Sequence, residues 1–433
     1  MDMENKLAYL SPVKNVELDA LLLMAAGNGN IDEVEHLLGE GADPAHRDHY
    51  GETALIKAAR AGSAPCLAEL IPISDPETRG VQGRAIDVAI EAESRECSAM
   101  LAKVSRSDSL NRRHSQDRTA LINAAYEGRI ESVKLLLECG ANPMLNDEDG
   151  RDAMMCAALA KHSHVVEALL PFCDPHRVDR HGCSALRLAM RLASSANLER
   201  SLAVFDLLLP SGNCAGRDND GETLLMEAAR IDSDSVASIF IERLLALPEI
   251  KIDEKDSGGL TAMSIAASNN LTKATSLLLA AGANPNSRDL SGDLAISTAG
   301  WNNALDTLAL LAVAAHGDAL GEAVFHLSGM GRDKAVSVLA PRANGQFSSA
   351  QGTTALMVAA LAGNTQLVAE LLPISDPGMR DLRGRSASDI AKVSGHVKTQ
   401  EAIDSYQLAM AERSMLEDIG LGESHGARGP MRM

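Results

Sequence analysis

The sequence predicts an all-α solenoid of about twelve helix–turn–helix units joined by short β-hairpin or extended loops. Three observations carry this expectation. A self-similar block recurs at 33 residues or close to it, each block contains two amphipathic segments, and apolar residues reach 45% of the 433-residue chain while aromatics stay at 2%. A block this short cannot enclose its own apolar stripe and must bury it against the next copy. A core so poor in rings has to be built from Ala, Leu, Val, Ile and Met.

The blocks open at GETALIKAARAG (Gly51), DRTALINAAYEG (Asp117), GRDAMMCAALAK (Gly150), GETLLMEAARID (Gly221), GLTAMSIAASNN (Gly259) and GTTALMVAALAG (Gly352). With the weaker copies, units start near residues 18, 51, 82, 117, 150, 182, 221, 259, 292, 316, 352 and 384. The domain expectation is a capping segment over 1–17, an array over 18–404, and a C-terminal helix with a disordered tail over 405–433.

Within a unit, Asp-x-x-Gly supplies a turn whose glycine admits a positive φ. Thr53, Thr119, Thr223, Thr261 and Thr354 follow where a helix needs an N-cap oxygen. Alanine pairs such as Ala58-Ala59, Ala228-Ala229 and Ala359-Ala360 then permit close helix approach. A second helix carries apolar residues at helical spacing, as with Val133, Leu136 and Leu137. Gly-Ala-Asn-Pro or Gly-Ala-Asp-Pro (Gly41–Pro44, Gly140–Pro143, Gly282–Pro285) ends it and starts an extended loop.

These residues resemble the ankyrin repeat over roughly 18–404, in spacing and in residue type alike. Where that family usually has Thr-Pro-Leu-His, this chain has Thr-Ala-Leu followed by Ile56, Ile122 or Met357. An apolar contact is expected in place of the family's hydrogen-bond network. A second texture, Leu-Pro-x-x-Asp-Pro near residues 170 and 372 and Ile-Pro-x-x-Asp-Pro at residue 71, reads as internal duplication. Long spacings after Gly182 and Gly221 predict insertions at Ala193–Arg200 and Ile231–Val236, and Gly292–Asn344 reads as two worn repeats. Lys398, Gln400, Glu401 and Asp404 are expected to supply the polar outer face of the last unit.

A net charge of −19 argues against nucleic acid and anionic membranes as partners. No apolar run is long enough to span a bilayer, and the acidic N-terminus lacks a signal pattern, so a cytoplasmic monomer is expected. Seven cysteines without a C-x-x-C pair read as free thiols. Phosphate-loop, zinc-protease and nucleophile-elbow motifs are missing, so no catalytic, cofactor-binding or metal residue is assigned and no enzyme is expected. Cys173, Asp174, His176, His181 and Cys183 have ligand-like spacing but fill variable slots of the repeat, which favours ordinary loop residues over zinc. His162 and His164 flank an inter-helix turn and are expected to be structural.

The resemblance implies a partner protein held in a concave groove formed by hairpin tips and first helices. Carried over slot by slot, the candidate contact residues are Tyr50, Arg60, Arg118, Tyr126, Arg151, Arg180, Arg191, Arg230 and Trp301. Tyr, Trp and Arg dominate interface hot spots because planar groups bury area at small entropic cost. The shared slot of Arg60, Arg191 and Arg230 would give a basic or mixed-sign groove selecting an acidic or mixed-charge partner. The function expected is a non-enzymatic scaffold. The alternative is an effector or anti-defence protein that inhibits a target enzyme by covering its surface.

Overall fold

The structure, a computed structural model, describes residues 11–105, 111, 118–316 and 318–418. The tail expected after residue 418 and the first ten residues lie outside the described residues. Among the described residues are 24 α-helices in twelve consecutive pairs, from Ser11–Asn28 with Ile31–Gly39 to Ala387–Val393 with Val397–Asp418. They divide into two compact units, Met1–Asn219 and Asp220–Met433, with six pairs in each. The all-α repeat expected from the period is present. Among the described residues, extended structure is confined to one two-residue ladder, Arg79–Gly80 against Gly83–Arg84, and single bridges such as Val178 with Ser184.

The loop between pairs is organised by one side chain. At Asp48, Oδ1 accepts the N–H groups of Tyr50 and Glu52, both at 2.9 Å, while the Asp48 N–H donates to the Glu52 carbonyl. Asp147, Asp179, Asp256, Asp289 and Asp381 repeat this closure with their own residues two and four positions on. A carboxylate accepting two backbone donors is a charge-assisted clasp, stronger than a neutral one. Within each unit successive tips are also tied by backbone bonds, Arg180 N–H to Asp149 O at 2.9 Å in one and Leu290 N–H to Gly258 O at 3.0 Å in the other. In the eleventh pair Ser349 replaces the aspartate, and its Oγ accepts from Gln351 and Thr353 at 3.2 Å. Ser349→Asp is therefore expected to stabilise the protein by about 0.5–1 kcal/mol in urea denaturation. A lowered midpoint would remove the clasp as an explanation of the hairpin.

First helices open on the expected oxygen. Thr119, Thr223, Thr261 and Thr354 accept the N–H of Ile122, Met226, Ser264 and Met357. Ser184, Ser386 and Asp152 do the same in repeats that lack threonine. Thr53 is the correction: its backbone is extended at the N-cap, yet its side chain makes no cap bond.

All five alanine pairs, including Ala124-Ala125 and Ala266-Ala267, have no exposed surface. Ile56, Ile122 and Met357 are 1% exposed, so the apolar replacement of the family histidine is core. Burying each such side chain contributes about 1.5–3 kcal/mol, an upper bound because unfolded chains already bury some apolar area.

The irregular units resolve differently from one another. In the sixth, residues 191–197 lengthen the turn between Ala185–Met190 and Leu198–Leu208, so the segment expected as an insertion, Ala193–Arg200, begins in that turn and ends inside the second helix. In the seventh the extra length lies mainly in the second helix, Asp234–Leu245 with 12 residues, rather than in the turn. Gly292–Asn344 contains two helix pairs, Ala295–Trp301 with Leu305–Ala314 and Ala319–Gly329 with Asp333–Leu339. The first helix begins at Ser11 and so takes in residues assigned to a cap, and Val397–Asp418 runs unbroken through position 404, where a boundary was expected.

Candidate functional site

In the second, fourth, sixth and seventh repeats the residue that closes the hairpin turn and the residue eight positions further on, at the end of the first helix, meet across the face of the repeat. In the Met1–Asn219 unit the second repeat joins Glu52 to Arg60: Arg60 Nη1 donates to Glu52 Oε2 at 2.7 Å, and Nη2 pairs with Oε1. Lys57 Nζ adds 2.7 Å to Asp48 and 3.2 Å to Glu52. The Arg60 guanidinium holds the Glu52 carboxyl below the ordinary glutamate range, against a burial penalty that acts the other way.

The fourth repeat replaces the ion pair with a cation–π contact, the Arg118 guanidinium carbon 4.7 Å from the Tyr126 ring centre. Arg118 Nε also lies 3.8 Å from Asp147. Arg151 is held by Asp149 at 2.7 Å and Asp179 at 3.4 Å. In the sixth repeat Cys183 stands where Glu52 stands in the second, and among the described residues Arg191 Nη1 meets its sulfur, at 3.9 Å, and no carboxylate. Arg191 and Arg180 are exposed, and so is Tyr50, at 54%.

In the Asp220–Met433 unit, Arg230 pairs with Glu222 as Arg60 does with Glu52. Trp301 is half-buried, with its Nε1 buried and without a hydrogen-bond partner among the described residues. The nine candidate residues thus differ in kind. Arg60, Arg118, Arg151 and Arg230 are partly neutralised within the molecule, while Arg180 and Arg191 present cations and Tyr50 and Tyr126 present rings. The internal carboxylates were legible in composition, but not which arginine each one reaches, because the contact crosses a hairpin.

The cysteine–histidine segment gives no converging ligand set. Cys173 and Cys183 are buried, whereas Asp174, His176 and His181 are exposed. Among the described residues, no three of these five side chains come within common ligand reach. Burial pushes the Cys173 thiol up to about 12, leaving it protonated at neutral pH. The two histidines of the fifth repeat pack instead. His164 Nε2 lies 3.1 Å from the Gly128 carbonyl, and a Cβ on Gly128 would sit 2.5 Å from the His162 ring. At φ +78° that backbone already favours glycine.

No helix among the described residues is long and apolar enough to cross a membrane. Among curated proteins, the chain is 31% identical over 162 residues to a probable E3 ubiquitin-protein ligase, XBOS32, of Oryza sativa subsp. japonica, covering 37% of this chain and 30% of that protein. It is 28% identical over 186 residues to the ankyrin repeat domain-containing protein SAT10 of Stachybotrys chartarum, covering 39% of this chain and 9% of that protein. It is 26% identical over 253 residues to the E3 ubiquitin-protein ligase KEG of Arabidopsis thaliana, covering 54% of this chain and 15% of that protein. The chain therefore spans less than a third of the length of each of these relatives. A family model for ankyrin repeats matches residues 22–147, 121–212 and 190–289. With more than half of its length matched, and with paired helices and hairpin clasps recurring throughout the described residues, the chain belongs to the ankyrin repeat family.

Proposed function

We infer that this chain is a protein-binding array without catalytic activity of its own, acting as a cytoplasmic monomer. Its partner engages the rungs of the Met1–Asn219 unit, with Tyr50, Tyr126 and Arg118 as planar anchors and Arg180 and Arg191 as the charged contacts. The observation that supports the reading is the contrast between Arg191, whose head group meets a thiol and no carboxylate among the described residues, and Arg60, whose charge is taken up by Glu52. A cation left without a carboxylate on an otherwise acidic molecule is available to an acidic group of a partner. Seven cysteines with no disulfide among the described residues support a reducing compartment.

Affinity capture on the full-length chain, read by mass spectrometry, would name the partner. Binding of that partner is expected to fall about 10–100-fold in Tyr126→Ala and in Arg191→Glu, and to weaken as salt rises. Arg60→Gln should leave binding within about threefold, because its charge is already spent on Glu52. Indifference to Tyr126→Ala, Arg191→Glu and salt alike would overturn the assignment.

A further inference from the structure

We propose that a missing hairpin in the Asp220–Met433 unit leaves a slot for one tight turn of a partner protein, a turn led by an arginine or lysine. The inference rests on the reading of the chain as a protein-binding array but concerns a gap peculiar to one repeat of this unit. Wherever two hairpins follow one another in the unit, the residue after the turn aspartate donates its N–H to a carbonyl of the preceding tip: Ser257 to Asp220 at 2.9 Å, Leu290 to Gly258 and Leu382 to Gln351 at 3.0 Å. The ninth and eleventh hairpins, Asp289–Asp293 and Ser349–Thr353, are not linked in this way. The tenth helix pair stands between them, but only residues 315–318 join Leu305–Ala314 to Ala319–Gly329, too few for a hairpin, where 281–294 and 340–354 serve the neighbouring pairs. The flanking tips are therefore two repeat steps apart, about 16–20 Å at ordinary helix spacing. Two backbone groups are left over at the gap. The Ser291 carbonyl, in the position of Gly258, and the Ala350 N–H, in the position of Leu290, have no hydrogen-bond partner among the described residues, and both residues are exposed. A Cβ on Gly292 would meet nothing within 4 Å, as at Gly384 in the last hairpin, whereas on Gly259 it would lie 2.6 Å from the Leu290 nitrogen. An unpaired edge of this kind is a template for another chain.

The molecule's own hairpins specify what fits. In the sixth repeat the Arg180 N–H donates to the Asp149 carbonyl and the His181 carbonyl accepts from the Asn219 N–H at 3.1 Å, so one Asp-x-x-Gly turn makes both bonds that the gap lacks. A Cβ on Gly150 would lie 3.0 Å from Arg180 Cγ, which places the side chain leading the incoming turn across the preceding turn glycine. In the gap that glycine is Gly292, and Asp293 follows it. Asp293 takes the place of Glu52 and Glu222, but Trp301 rather than an arginine stands eight positions on. It makes no ion pair among the described residues, while nearby Arg288 is engaged by Glu322 at 2.7 Å. Burial first, then the carboxylates of Asp289 and Glu322, push the Asp293 carboxyl above the ordinary aspartate range, and His326 and Arg288 pull only partly back. The facing tip, Ser349–Thr353, carries no charge. A guanidinium or ammonium laid over Gly292 would thus meet a carboxylate that no internal cation pairs with.

The test titrates the full chain into a labelled, cyclised hairpin peptide that copies Val178–Ser184 with Cys183→Ala, closed where those two residues bridge. Its controls are the same ring with Arg180→Glu, the linear peptide, and argininamide. Fluorescence anisotropy is expected to show the arginine ring binding about tenfold tighter than the glutamate ring and the linear form. In the chain, Asp293→Asn should bring the two rings to within about threefold of each other. Ala350→Pro removes the N–H at a turn position where proline's fixed φ fits, so the hairpin stands while the arginine ring binds about fivefold more weakly. An unchanged melting temperature verifies that both variants fold. Equal binding of the two rings, binding no tighter than that of the linear peptide or argininamide, or indifference to both substitutions would overturn the proposal. If the ring fails while a captured protein is still lost on Arg191→Glu, this slot is wrong and the array reading stands. If both fail, neither survives.

Discussion

Ala360→Lys is expected to unfold the C-terminal repeats, whereas Lys392→Ala, the reverse exchange at the equivalent position one repeat later, should change stability by less than about 0.5 kcal/mol. Ala360 is the second alanine of its pair and Lys392 takes that place after Ala391, each eight positions after its turn glycine, Gly352 or Gly384. Ala360 has no exposed surface, because helix Ala355–Ala362 is packed there against Ala387–Val393. Lys392 is exposed because no further repeat follows it among the described residues. An ammonium forced into the Ala360 site would lose its hydration without a carboxylate to replace it and would also overfill the contact, at a cost of several kcal/mol. In an array each repeat is held only by its neighbours, so the damage spreads outward from position 360. The expected reading is a urea transition that becomes biphasic or shifts by more than about 1 M in Ala360→Lys, given the slope typical of such unfolding. A single transition within experimental error of the parent would show that the alanine slot tolerates volume and charge, and the packing account would fall with it.

The same comparison explains what could be read from the sequence. The period, the threonine caps and the alanine pairs were legible because each is a local signal repeated at fixed spacing, so a weak preference is counted many times. The terminal face was legible in its second helix and not in its first. Ser388, Asp389 and Lys392 put polar groups where Leu356, Met357 and Ala360 are buried one repeat earlier, and these mark the end of the stack alongside the expected Lys398, Glu401 and Asp404, which are also exposed. Knowing which slots face the next repeat requires the packing, not the pattern. The rungs were half legible: both sets of positions were identified, but the Glu52–Arg60 and Arg118–Tyr126 contacts depend on the hairpin clasp bringing the loop over the helix end. The unbroken Val397–Asp418 helix follows from a stretch without Gly or Pro, a signal outweighed in the sequence reading by the expected end of the array.

Asp152 gives the second large expected effect, and here pH decides the sign. It takes the cap position held by threonine in five other repeats, with Oδ1 accepting the Met155 N–H at 2.9 Å. Its other oxygen is buried without a hydrogen-bond partner, and the nearest cation is Arg177 Nη1 at 3.7 Å. Burial pushes its carboxyl above the ordinary aspartate value, with the cap bond and Arg177 pulling only partly back. A carboxyl raised in the folded state destabilises that state wherever it is ionised. The penalty is fully present at neutral pH and is relieved as pH falls through the folded value toward the unfolded one. Asp152→Thr keeps a cap oxygen and removes the charge. Arg177 remains bonded to the Met144 carbonyl at 2.8 Å and to Asn146 at 2.9 Å. The variant should therefore be more stable than the parent by about 1–2 kcal/mol at pH 7, with the gap narrowing on acidification. Asp152→Ala, which removes charge and cap together, should fall below Asp152→Thr by about 1 kcal/mol at every pH. Urea denaturation at pH 7 and pH 5 reads both differences. If the parent were instead the more stable at pH 7, attraction to Arg177 would exceed the cost of burying the charge, and the aspartate would be the better cap for this repeat.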